Sequence, residues 1–249
     1  KTMHMILVAH AEAMQVIRSH NYNNAGIVLN KQFVQPFDDR PETLQVTNLA
    51  DEIHNLWYDE AIFNGIYPSQ TLDLFSQYMP NDYENDLMQI SQPLDWVGIN
   101  YYTRSIIKVD PSEHFLGYKS VNGNLTVTDM GWEIFPEGLK HLIERLHKKY
   151  SKNLPILITE NGMANKDFIK NEKVNDIERV NFYYDHLKQC KELIENDVPL
   201  KGYFVWSLLD NFEWAHGYSK RFGIVYVDFN NLKRIPKLSW EEFKKNLTS

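Results

Sequence analysis

An apolar run, Leu154-Pro155-Ile156-Leu157-Ile158-Thr159, ends abruptly in Glu160-Asn161-Gly162. Ile156 to Ile158 suit a strand covered on both faces, as in a parallel sheet. Asn-Gly is a strong turn signal and should stop that strand. Glu160 then sits at the carboxyl end of a buried strand, where a charged group is costly unless it is paired or used. In a β/α barrel this rim is where catalytic groups gather. On this stretch alone two readings stand: a strand-end carboxylate bonded to loop amides, or a reactive carboxylate.

A second stretch tips the balance. Trp206 to Gly223 packs Trp206, Trp214, Glu213, Asp210, Asn211, His216 and Phe222 into one short segment after another apolar run, Lys201 to Ser207. Sugars ask for this mixture. Aromatic faces cover the C–H faces of a pyranose, while carboxylates and amides take its hydroxyls. The plainer alternative is an aromatic loop that merely caps the fold. Asn100-Tyr101-Tyr102 closes a third apolar run. A tyrosine hydroxyl there could hold the Glu160 carboxylate ionised by hydrogen bonding. Side chains alternate along a strand, so Tyr102 shares a face with Asn100 and Tyr101 does not.

These groups must be positioned by regular elements. The spacing predicts helices over Met5–His20, Glu52–Asn64, Pro136–Tyr150 and Asp176–Asn196, the last with Ile177, Val180, Tyr184, Leu187 and Ile194 facing inward. Strands are expected over Ala25–Asn30, Asp95–Tyr101, Pro155–Asn161 and Lys201–Ser207. Gly98 implies a bend or a close backbone approach in the second strand. A loop from Tyr102 to Phe135 is expected to turn at Asn122-Gly123, and Ser239-Trp240-Glu241-Glu242 reads as a capping box opening a last helix. Strands alternating with helices imply right-handed βαβ units and a parallel sheet.

The chain has 249 residues, 43% of them hydrophobic, and a net charge of −7. That length matches one β/α barrel, roughly 250 residues. Yet only four strands are visible where a closed barrel takes eight. The expected fold is therefore α/β, a single domain over residues 1–249 forming half a barrel. The acidic balance disfavours nucleic acid or an anionic membrane as partner. No apolar run reaches membrane-spanning length. The lone cysteine, Cys190, fits a reducing compartment, so a cytoplasmic location is expected. Histidines lack metal spacing and no phosphate-binding glycine pattern occurs, so neither metal nor cofactor is expected.

Taken in order, Asn100-Tyr101-Tyr102, Met130-Gly131-Trp132-Glu133-Ile134-Phe135-Pro136, Ile158-Thr159-Glu160-Asn161-Gly162 and Trp206 to Gly223 resemble segments of glycoside hydrolase family 1, the β-glucosidase family. The resemblance covers the C-terminal half of the family's (β/α)8 TIM barrel, strands five to eight with their helices. It implies a retaining β-glycosidase acting by double displacement on β-linked, unphosphorylated glucosides or related sugars. Glu160 is then the nucleophile, with Tyr102 hydrogen-bonded to it and Asn100 in the same network. Trp206, Glu213, Trp214 and Phe222 belong to the glycone pocket, and Trp132 to the aglycone platform. The Glu213-Trp214 pair implies a glycone without phosphate.

One departure matters as much. The family carries its acid/base glutamate in an Asn-Glu-Pro motif ending the fourth strand, and no Glu-Pro pair occurs anywhere in this sequence. Two expectations follow. In the first, the chain works only with the N-terminal half of the barrel, supplied by a separate, cleaved or otherwise unseen segment, and the isolated chain is inactive. In the second, it is an inactive half-barrel that self-associates through open strand edges, with at most weak carbohydrate binding.

Overall fold

The computed structural model describes residues 1–151 and 153–248. Its elements run α1 (Thr2–Ser19), β1 (Gly26–Pro36), α2 (Pro41–Asp51), α3 (Trp57–Asn64), α4 (Ser69–Phe75), α5 (Tyr83–Ile90), β2 (Trp96–Val109), β3 (Tyr118–Val121), α6 (Pro136–Leu146), β4 (Ile156–Asn161), α7 (Ile177–Glu195), β5 (Leu200–Val205), β6 (Val225–Val227), β7 (Arg234–Pro236) and α8 (Leu238–Thr248). The main sheet has the order β1-β2-β4-β5, every neighbour pair parallel, with β3 antiparallel to β2. This is the parallel array expected of half a barrel, and β1 and β5 are its edges.

Alternation divides the strands into two faces. Val97, Ile99, Tyr101, Ile156 and Ile158 are fully buried and pack with Leu139, Leu142, Ile143 and Leu146 of α6 into one core. The opposite face carries Gly98, Asn100 and Tyr102 and is the concave side of the array. Val28 and Phe204, on the edge strands, are 43% and 57% exposed. Gly98 is needed for close approach: a Cβ there would meet the Thr159 side chain at 2.7 Å.

Several local expectations are corrected. Helices α2, α4 and α5 occupy segments without a clear apolar period, and β1 and β2 run well beyond the apolar cores that signalled them. The β2–β3 hairpin turns between Val109 and Tyr118, not at Asn122-Gly123, which follows β3. Ser239 lies inside α8 and binds Asp176 through its hydroxyl at 2.6 Å instead of capping the helix. Helix α7 is turned from its expected face. Ile177, Tyr184 and Ile194 are exposed, while Arg179, Phe182, Tyr183, His186, Gln189, Cys190 and Leu193 point inward.

His186 makes this core sensitive to acid. Its ring is fully buried, tilts over Phe182 at 4.0 Å and bonds the Phe182 carbonyl through Nδ1 at 2.7 Å, leaving Nε2 without a partner among the described residues. Burial pulls its pKa down from 6.5 to about 4. The native state therefore holds the neutral ring, whereas the unfolded chain takes up a proton below about pH 6.5. Stability should be intact above that value and fall by roughly 3 kcal/mol between about pH 6.5 and 4. Urea midpoints measured across this window should drop for the native sequence, and His186→Leu should flatten that part of the slope.

Candidate active site

Strict alternation would place Glu160 with Ile156 and Ile158, facing the helices. A bulge prevents this. Ile158 pairs with Ile99 but Glu160 pairs with Asn100, so Thr159 is an extra residue against β2. The ladder to β5 is irregular over the same two residues. Bulges commonly re-aim side chains beside functional sites. Here the bulge turns Glu160 onto the concave face, where the Tyr102 hydroxyl donates to its Oε2 at 2.5 Å. The Thr159 hydroxyl donates to Asn100 Oδ1 at 2.7 Å, which fixes the neighbouring amide. Burial, and then the hydrogen bond to Glu160, push the Tyr102 phenol far above its usual pKa, so it stays a donor.

The next residues lock the rim. Asn161 donates from Nδ2 to the Tyr101 carbonyl at 2.7 Å and accepts from the Tyr203 hydroxyl, tying β2, β4 and β5 together. A Cβ at Gly162 would lie 1.8 Å from the Trp206 carbonyl oxygen, so only glycine admits the chain leaving β5. Trp206 donates its backbone N–H to the Asn161 carbonyl at 2.8 Å. Its peptide bond to Ser207 is cis.

The aromatic side chains fall around this carboxylate. Trp132 lies 5.5 Å from Tyr102, and Phe222 packs edge-on to Tyr102 at 6.2 Å and against Trp132 at 6.2 Å. Phe222 is only 1% exposed and supports the two outer rings from behind. Glu213 is nearly buried and Trp214 is 83% exposed. Burial raises the Glu213 pKa, His216 pulls it back, and the Glu160 charge raises it further, which places the two carboxylates within electrostatic reach of each other. The site thus brings Asn100, Tyr102, Trp132, Glu160, Glu213 and Phe222 together, with Trp206 and Trp214 on the flanking segments.

Sequence reasoning missed what holds the loops. Arg179 donates to Asp167 and Asp176 and to the carbonyls of Met163 and Arg221. Lys237 donates to Asp167 and, at 2.8 Å, to Asp210. Asp210 also accepts from Arg221 at 2.6 Å and from the Gly223 and Val227 amides. This network joins the segment after β4, the start of α7, the Trp206–Gly223 loop and the start of α8. Lys220 and Arg221 are paired with Asp129 and Asp210. The signal in the sequence was weak: charged residues scattered through apolar loops, whose partners lie up to 91 positions away.

A parallel β/α array of four strands, with a tyrosine-bound carboxylate on its carboxyl rim, defines half of a (β/α)8 barrel with its site at the usual end. Comparison with known proteins carries this further. The chain belongs to glycosyl hydrolase family 1, whose family profile matches residues 1–248. It is 41% identical over 239 residues to a 1,4-beta-D-glucan glucohydrolase of Thermotoga neapolitana, covering 95% of this chain and 53% of that protein. It is 31% identical over 273 residues to a 6-phospho-beta-galactosidase of Clostridium acetobutylicum, covering 98% of this chain and 58% of that protein. Among solved structures, the family 1 β-glucosidase from Thermotoga maritima in complex with isofagomine lactam superposes with a TM-score of 0.93 at 38% identity, over 98% of this chain and 55% of that one. The chain spans about half the length of the curated relatives it matches.

Proposed function

We propose that this chain is the nucleophile-bearing half of a retaining β-glycosidase acting on β-linked, unphosphorylated glucosides or related sugars. The carrying observation is Glu160, bulged onto the concave rim and held by Tyr102 among Trp132, Phe222 and Glu213. In this reading the Glu160 carboxylate attacks the anomeric carbon, the glycosidic bond breaks, and the leaving oxygen takes a proton from an acid roughly 5 Å from Glu160. Water, deprotonated by that same group, then displaces Glu160 from the opposite face, so two inversions give retention. Glu213 and Trp214 take the outer hydroxyls, and Asn100 and Trp206 line the glycone side. The acid/base carboxylate is supplied by the N-terminal half of the barrel, which the edges of β1 and β5 would join by strand pairing.

The relatives named for glucan and glucoside hydrolysis support the glucoside assignment, and the Glu213-Trp214 pair supports a glycone without phosphate. The test is to present this chain together with the N-terminal barrel half, as one polypeptide or two, with p-nitrophenyl β-glucoside. Proton NMR should show the β-anomer of glucose forming first. An initial α-product, or no turnover in the completed barrel, would overturn the reading. The exposed Val28 and Phe204 on the edge strands favour a second reading, a self-associated half-barrel. It requires a dimer of this chain alone in light scattering and no hydrolysis with the other half present.

A further inference from the structure

A second cleft, of about 920 Å³, opens between the segment that follows β4 and the start of α8. It shares no lining residue with the site around Glu160. Ligand sites run to roughly 300–1,000 Å³, so this cleft has the size of a whole one. Backbone contacts fix its walls. Lys170 and Lys173 exchange hydrogen bonds at 2.8 and 3.1 Å around a turn in which Asn171 and Glu172 take left-handed φ values of 51° and 60°. The Leu238 amide donates to the Val174 carbonyl at 3.0 Å, and the Asn165 amide to the Arg221 carbonyl at 3.1 Å. The ion pair of Asp167 and Lys237, both without exposed side chain, closes it underneath. A wall already in place lowers the ordering cost of binding.

The lining mixes groups of several kinds. Phe168 is 72% exposed on the cleft and makes no ring contact among the described residues. Lys170 and Lys173 bring donors, Glu178 and Glu241 bring acceptors, and Asn171 and Asn175 bring both. The two ammonium groups and the two carboxamides have no hydrogen-bond or ion-pair partner among the described residues. The cations stand among carboxylates, so the cleft lacks the one-signed field that gathers an anion. An apolar ligand would strip water from these polar groups without replacing it. A hydroxyl donates and accepts at once, and a pyranose adds C–H faces suited to an aromatic ring.

We infer that this cleft is a second, non-catalytic binding site for a neutral oligosaccharide, held by stacking on Phe168 and by hydrogen bonds from the amides and lysines around it. The inference goes beyond the glycosidase reading and does not depend on it, because binding here needs no turnover. It uses residues of this chain alone, on the segment after β4, the first turn of α7 and the start of α8.

Calorimetric titration of the chain with cellotetraose tests the site. Saturable binding is expected, and Phe168→Ala should weaken it about fivefold or more. Phe168→Tyr, which keeps the ring, should bind within about twofold of the native sequence. Asn175→Ala should weaken binding about fivefold, the usual cost of one lost hydrogen bond. Both side chains are exposed, so circular dichroism should show the fold of each variant intact. Binding that is unchanged in Phe168→Ala but lost in Glu213→Ala would put the sugar on the rim of the sheet and overturn the inference. Absence of saturable binding at millimolar cellotetraose would overturn it too. Displacement of the sugar by inorganic phosphate would make the cleft an anion site and overturn it equally.

Discussion

Glu160→Ala in the completed barrel is expected to lower turnover by roughly four orders of magnitude or more, because losing a nucleophile removes the covalent route itself. The fall should appear in kcat. In the proposed reading, substrate affinity rests largely on other groups, among them Glu213, Trp206 and Trp132. The fold should survive, since Glu160 is only half-buried and, among the described residues, its carboxylate takes its one hydrogen bond from Tyr102. Truncation also vacates space on the anomeric face. A small anion such as azide should enter it and attack an activated aryl β-glucoside from the nucleophile's side. One carbon–nitrogen bond forms as the bond from the anomeric carbon to the aryloxide oxygen breaks, releasing the aryloxide and giving a singly inverted α-glucosyl azide. That product, identified by NMR, separates lost chemistry from lost structure. Near-normal turnover in the folded variant would reduce Glu160 to a strand-end carboxylate and remove the basis of the mechanism.

Arg179→Met should destabilise this chain by about 3–5 kcal/mol, the usual penalty for removing one member of a buried ion pair. Its guanidinium is fully buried between Asp167 and Asp176, both also without exposed side chain. Methionine fills much of the volume but leaves Asp176 with only Ser239 among the described residues, and takes donors from the Met163 and Arg221 carbonyls. Urea unfolding followed by far-ultraviolet circular dichroism measures the loss. The double variant Arg179→Met with Asp176→Asn should recover part of it, because the second change removes the uncompensated charge. A loss under about 1 kcal/mol in the single variant would show that water reaches the network and that these charges do not hold the loops.

The two effects are linked by position. Asp167 follows the Glu160 strand, and Asp210 opens the loop carrying Glu213 and Trp214. Lys237 donates to both carboxylates. Weakening the network should loosen the loop carrying Glu213 and Trp214 against Glu160 before the sheet itself fails, because the sheet draws on the separate apolar core of β2, β4 and α6.

What the sequence by itself determined is local. Ile156 to Ile158 ending in Glu160-Asn161-Gly162 marks a strand, its end and a carboxylate at that end, because apolar period and turn chemistry are written within a few residues. The shared parity of Asn100 and Tyr102, the alternation of strands with helices and the shortage of strands for a closed barrel are legible in the same way. Tertiary structure decided which way the groups face. Alternation alone would send Glu160 toward the helices, and only the bulge at Thr159, formed against both neighbouring strands, turns it to Tyr102. Likewise Ile177, Tyr184 and Ile194 offer an apolar stripe on α7, yet Arg179, His186 and Gln189 go inward on the face beside it. Burying an arginine is unfavourable until carboxylates meet it. Asp167 lies 12 positions earlier on another segment, a partnership that no periodicity records and only the folded chain supplies.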